Sequence, residues 1–179
     1  MKTWINLLAL TLLFQLNTQA QFNTVKSCSV SFKIKNAGIN VDGKFTAVIA
    51  KINIDEKDFS KSTFQGTAKS TSVETGIKLR NDHLKDKEEF FNAAKFPDIV
   101  MKSTKITQTS LPGTYKVDWL ISIKGVSKTL SSEVIIKKQA GTILAYSTLK
   151  VNRRDLGIGG KSITMSDTVT ITLNALITP

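Results

Sequence analysis

Asp82 and His83 stand side by side in the stretch RNDHLKDKEEFFNAAKFPDI, Arg80 to Ile99, and His83 is the only histidine of the chain. A carboxylate beside an imidazole invites a hydrolytic reading. Consecutive residues point in different directions, however, and no G-x-S-x-G nucleophile turn exists for such a base to serve. The only cysteine, Cys28, is far from His83 in sequence. One histidine and one cysteine fall short of the ligand set of a zinc site. The glycine-rich stretch GIGG, Gly157 to Gly160, is not followed by the lysine-plus-hydroxyl helix start of a phosphate loop, and reads as a turn before the last strand. No enzyme, no cofactor and no metal are expected. The chain has three arginines, Arg80, Arg153 and Arg154, and Arg80 lies in the same stretch as His83.

The elements that position these groups begin after a targeting segment. Lys2, an apolar run from Ile5 to Leu16, and the ending NTQA with small Ala20 predict a secretory signal peptide over residues 1–20. The run is too short for a membrane span, which needs about 20 apolar residues. Cys28 follows TVKS, which does not look like a lipoprotein acylation site, and a single cysteine makes no internal disulfide. Residues 21–179 form one domain, long enough to bury a core without staples. The formal net charge is +11, almost all of it lysine. The lysines alternate with apolar residues, which places them on the solvated outer faces of strands. Weak attraction to an anionic membrane surface is the functional reading of that charge. No basic stripe is interleaved with aromatics, so nucleic acid is not expected.

Period-two alternation recurs down the chain. VSFKIKN sets Val30, Phe32 and Ile34 on one face. INVDGKFTAVIAKINID reads as one long strand with Val41, Phe45, Ala47 and Ile49 in phase and Ile52 and Ile54 in the opposite phase, the mark of a bulge. STFQGTAKSTSV puts Phe64, Gly66, Ala68 and Ser70 on the apolar side, and three of those four are small. Ile99 and Met101 share a face. Tyr115, Val117, Trp119, Ile121 and Ile123 form the cleanest stripe, and Val169 to Ile177 another. The pattern predicts an all-β fold of about eight long antiparallel strands closed as an up-and-down barrel. A two-sheet sandwich is the runner-up. Lysines on the outer faces and few aromatics fit an outer-membrane barrel badly. The small residues of the third strand leave space opposite Trp119 and Phe45, so the barrel is either hollow or filled by a small-against-large taper.

Between the third and fourth strands lies the charged stretch that holds His83. Its composition suits a helix starting at Asn81 or Asp82, and Pro97 stops it. It reads as a cap on an otherwise open core, or as a gate with Phe90 and Phe91 facing a ligand.

This segment, with Thr75, Gly76, Arg80, His83, Leu84, Phe90, Phe91, Asn92, Lys95, Phe96, Pro97 and Ile99 in the order TG…R-x-x-H-L…FF-N-x-x-K-F-P-x-I, resembles the YceI-like family of exported lipid-binding proteins. FKIKNAGINVDGKF, with Gly43 and Phe45 in its G-x-F, ISIKGVSK and NRRDLGIGGKSITMSDTVTITL resemble further pieces of the family, in its order. Asn81 stands where the family usually has aspartate, and one extra residue lies between Leu84 and Phe90. The resemblance implies a lipocalin-like eight-stranded antiparallel barrel, in the periplasm or secreted, holding a polyisoprenoid or an isoprenoid quinone. Phe32, Phe45, Phe64, Ile99, Met101, Trp119 and Ile121 are expected around the tail. Arg80 and His83, with Arg153, are expected at the polar end, or else Arg80 and His83 bond loop carbonyls and hold the segment in place. A solid barrel acting through its basic surface on an anionic membrane or a partner protein is the alternative. A homodimer through a strand or barrel face is compatible with the pattern.

Overall fold

The computed structural model describes residues 23–178. The signal peptide expected over 1–20 lies outside the described residues. Ten strands form one antiparallel sheet: β1 (Thr24–Asn36), β2 (Ile39–Phe45), β3 (Val48–Asn53), β4 (Thr63–Lys69), β5 (Val73–Glu74), β6 (Asp98–Gln108), β7 (Thr114–Ile123), β8 (Val126–Gln139), β9 (Thr142–Asn152) and β10 (Met165–Thr178). One short helix, α1 (Lys78–Asp86), lies between β5 and β6. The sheet order is β3-β4-β6-β7-β8-β9-β10-β1-β2-β5.

The count is ten rather than the predicted eight because two long strands are broken. A bend at Thr46 and Ala47 divides the expected strand over 39–55 into β2 and β3. Its first half pairs with β1 and its second with β4. A 3-10 turn at Ser70–Ser72 likewise separates β4 from β5. The phase change sits at the bend, earlier than the sequence pattern placed it. Val41 and Phe45 precede it on the inner face, while Val48, Ala50 and Ile52 follow it there. Ala47 and Ile49 consequently point outward, and Ile49 is exposed. Since β2 and β3 are nearly continuous, the two ends of the sheet order meet along one chain segment. The Asn23–Ile52 bridge joins the start of β1 to β3 there. The sheet is therefore strongly curled around its apolar face.

Tight hairpins hold the register. Lys124–Gly125 and Ala140–Gly141 each place two successive residues at positive φ. That is the turn whose twist matches the right-handed twist of paired strands, and glycine adopts its second position without steric cost. The core divides into two clusters. Ile106, Val117, Val134, Ile143 and Ile177 pack at one end, where Phe59 stacks on Tyr115 with ring centroids 4.1 Å apart. Ile121, Ile123, Leu149, Val151 and Leu156 pack toward the end that carries α1.

Candidate functional site

The curled sheet is not filled. Between and above the two clusters lies a cavity of about 580 Å³, lined mainly by apolar side chains and open at the α1 end. The third apolar face explains the space. Gly66 is flanked by Ala50 and Met101 on the neighbouring strands, and a Cβ added to it would meet nothing within 4 Å. A glycine here leaves the wall one side chain thin. Two strands along, on β7, stands Trp119, buried and set edge-on to Phe64 of β4 with centroids 6.0 Å apart. Its indole N–H donates to Ser132 Oγ at 2.8 Å, and Ser132 meets Ser147 Oγ, which donates to the Glu133 carbonyl. The buried polar atoms of this wall are thus satisfied among themselves, leaving an apolar surface to a guest.

Aromatic rings line the other half. A Cβ on Gly43 would run into the Phe32 ring, so glycine lets that ring lie against the backbone of β2. There Phe32 meets Phe45 at 5.9 Å, and Phe45 meets Phe91 at 5.6 Å. This close approach is the physical content of the G-x-F spacing.

Phe32, Phe45, Phe64, Arg80, His83, Phe90, Phe91, Ile99, Met101, Trp119, Ile121 and Arg153 all border the cavity. Their surroundings differ. Helix α1 starts at Lys78, earlier than the predicted Asn81 or Asp82, and the residue before it, Ile77, offers no side-chain cap. It also ends at Asp86, well before Pro97, so Phe90 and Phe91 sit on the turns that follow rather than on a helix. Asp82 does not orient His83. Lys78 and Lys85 contact it at 2.6 and 2.9 Å, and hydrogen bonds from those ammonium groups hold its carboxyl down at about 2. His83 is exposed at the cavity edge, and its ring makes no hydrogen bond to the described residues. No cluster of three or more metal-ligating side chains occurs among the described residues.

Asn81 is buried and does structural work. Its amide oxygen accepts from Thr75 N and Thr75 Oγ1 at 2.9 and 2.7 Å, and its Nδ2 donates to Glu74 at 2.8 Å. An aspartate here would face the Glu74 carboxylate, so the neutral amide matches its neighbour. The Asn81 and Gly76 donors hold the Glu74 carboxyl below its ordinary range. Arg80 donates Nε to Thr75 Oγ1 at 2.9 Å and Nη2 to the Thr75 carbonyl at 3.4 Å. Its Nη1 makes no hydrogen bond to the described residues.

Arg153 is committed elsewhere. Buried to 3% exposure, it donates to the carbonyls of Ile158, Gly159, Gly160, Met165 and Ser166, and pairs with Asp167 at 2.9 Å. Those acceptors consume all five N–H groups of a guanidinium. Arg153 therefore braces the loop between β9 and β10, and that loop closes on Phe90 at Gly159. Sequence reasoning did not single out Ala50, Ile158, Met165, Ile171, Leu173 or Ala175, which also line the cavity. The alternation of β10 marked three of them; the shifted phase hid Ala50.

A curled antiparallel sheet around an apolar, end-opening cavity, with a helix and two loops at the mouth, has the form of a binding barrel. The model of the YceI-like domain matches residues 21–176, and the chain belongs to that family. Protein YceI of Salmonella arizonae is 28% identical over 111 residues, 62% of this chain and 56% of the relative. The chain thus spans a little over half the length of such relatives. Among solved structures, BcnA of Burkholderia cenocepacia superposes with a TM-score of 0.78 at 22% identity, covering 83% of this chain and 95% of BcnA. A polyisoprenoid-binding domain from Saccharophagus degradans superposes at 0.68 with 14% identity, covering 89% and 98% of the two chains. At these identities the likeness concerns the fold.

Proposed function

We propose that the protein holds a long isoprenoid-type lipid, a polyisoprenoid or an isoprenoid quinone, in this cavity, for transport or storage outside the cytoplasm. The observation that carries the reading is the open apolar space beside Gly66, ringed by aromatic side chains and entered from one end. The polyisoprenoid-binding neighbour supports the same ligand class. Taken with β2 and β3 as one broken strand and β4 and β5 as another, the sheet reads as the eight-stranded lipocalin-like barrel.

An apolar tail gains roughly 25 cal/mol for each Å² removed from water, which suits a deep pocket with little polar lining. At about 580 Å³ the cavity has the size of a small-molecule pocket. A chain too long for it would leave its remainder at the mouth. Phe32, Phe45, Phe64, Met101, Trp119 and Ile121 surround the tail in this reading. Arg80, whose Nη1 keeps donor capacity, and His83 meet the polar end; Arg153 holds the loop beside it. A location in the periplasm, or secretion, accords with the signal-peptide pattern of residues 1–20.

Organic extraction and mass spectrometry of the protein purified from an exporting bacterial host, beside a blank purification, test this. A stoichiometric isoprenoid or quinone is expected. A folded, monodisperse protein that yields none, and takes up none when offered farnesyl- or geranylgeranyl-chain quinones, overturns the assignment.

A further inference from the structure

The mouth of the cavity has a surface of its own. Four large aliphatic side chains lie open to water there: Ile39 at 70%, Ile77 at 53%, Leu79 at 66% and Ile163 at 101% of full exposure. They come from three separate elements. Ile39 follows the tip of the β1–β2 hairpin, Ile77 and Leu79 open α1, and Ile163 belongs to the loop before β10. The fold gathers these elements at one end. Ala37 N donates to the Thr164 carbonyl at 2.8 Å, which joins the hairpin tip to the Ile163 loop. Gly159 N donates to the Glu89 carbonyl, which joins that loop to the segment after α1. Ile77, Leu79 and Met165 also line the cavity itself. Exposed aliphatic residues scattered singly carry no meaning, but a ring of them around an apolar opening marks a contact surface.

We infer that this rim docks the cavity mouth onto a phospholipid surface, with Ile39, Ile77, Leu79 and Ile163 dipping among the acyl chains. Three observations favour lipid over another occupant. The rim is continuous with an apolar cavity, so a docked mouth gives a tail a path that avoids water. Exposed Lys35 and Lys161 flank the rim residues in sequence, as lysines beside an interfacial apolar patch do, and Lys78, paired with Asp82, lies between Ile77 and Leu79. The whole chain carries +11, complementary to an anionic leaflet. Asp86, Glu88 and Glu89 lie on the later side of the α1 segment, so the apolar contact carries the binding and charge assists it. The path for the tail rests on the lipid-binding reading; the surface contact does not.

Flotation of the protein purified from an exporting host, with vesicles of equimolar phosphatidylethanolamine and phosphatidylglycerol, tests the inference. Leu79→Asp with Ile163→Asp should weaken binding at least about tenfold, the scale of withdrawing an aliphatic side chain from an apolar phase and placing a charge there. Ile49→Asp, at an exposed isoleucine on the outer wall, should leave it unchanged. The replaced side chains face water, so both proteins should melt as the parent does. No vesicle binding by the parent, or equal loss in the rim and wall variants, overturns the inference. So does a parent that is a dimer by light scattering, that the rim variant splits, and that ignores vesicles; the rim would then be a contact between copies. Lipid extracted from the same preparations reports separately on the cavity. An empty parent that still floats would remove the carrier reading and leave the docking surface standing.

Discussion

Gly66→Leu is the sharpest perturbation of the cavity. Gly66 sits mid-strand in β4 at an ordinary backbone angle, and open space lies beyond its Cα. A leucine side chain adds four carbons, about 120 Å³ at roughly 30 Å³ for each water-sized group, a sizeable obstruction of the cavity. In the lipid-free protein that side chain buries itself without displacing protein atoms. Full burial is worth about 1.5–3 kcal/mol. Relief of glycine's backbone entropy adds about 0.5–1 kcal/mol. Loss of leucine rotamer freedom takes back a similar amount. A net gain of about 1.5–3 kcal/mol corresponds to a rise in Tm of roughly 3–12 °C for a domain of this size.

The lipid-loaded protein should respond in the opposite sense. The new side chain competes with the guest, so bound lipid per protein falls several-fold. The stabilisation that ligand supplies, which grows with its concentration over Kd, falls with it. The assay is paired: thermal melting of delipidated and lipid-loaded protein, parent and variant, with extraction of each. A delipidated Gly66→Leu that melts below the parent would mean the side chain meets atoms where the structure has space. Unchanged lipid content together with an unchanged Tm would mean that it faces solvent. Either result refutes the hollow interior.

The arginines should separate by role. Arg153→Met strips a buried donor from five carbonyls and Asp167, and should cost about 3–5 kcal/mol, seen as a Tm lower by roughly 6–20 °C. Arg80→Met, which removes only two bonds to Thr75, should shift stability by about 1 kcal/mol or less and change quinone affinity instead, read by titrating a quinone against tryptophan fluorescence. Asn81→Asp trades the amide donor for a carboxylate facing Glu74. It should destabilise by about 1–3 kcal/mol at neutral pH and recover as acid protonates one of the pair, so its melting curve across pH should differ in slope from the parent's. Asp82 has a folded pKa of about 2, below its ordinary 3.8. Its contribution is therefore complete above about pH 4 and lost as pH falls through about 2. Hydrogen exchange in α1 should quicken over that window, and Asp82→Asn should remove the dependence.

What the sequence made legible, it did through side-chain periodicity. Trp119, Ile121 and Ile123 face inward as their alternation demands, and the small face of Phe64, Gly66 and Ala68 borders real space. The failures share a cause: each turns on backbone that residue types do not report. Ala47 and Ile49 extend the apolar phase of Val41 and Phe45 in sequence, yet a bend at Thr46 and Ala47 turns them out, because the chain must leave β1 there to pair with β4. Helix α1 begins at Lys78 without a polar cap, so the search for a capping residue pointed too far along. The loop-bracing bonds of Arg153 were not legible in sequence, because its five backbone carbonyl partners belong to residues with nothing polar in their side chains, Ser166 apart. The same reasoning bears on the mouth. A motif arginine at a cavity edge has two ways to satisfy a guanidinium, and loop carbonyls compete with a guest for its donors. Arg153 has none to spare, whereas Arg80 keeps Nη1 uncommitted among the described residues. Donor accounting, rather than position in the motif, thus separates the two: a guanidinium donor remains on the α1 side of the opening, and none on the side of the β9–β10 loop.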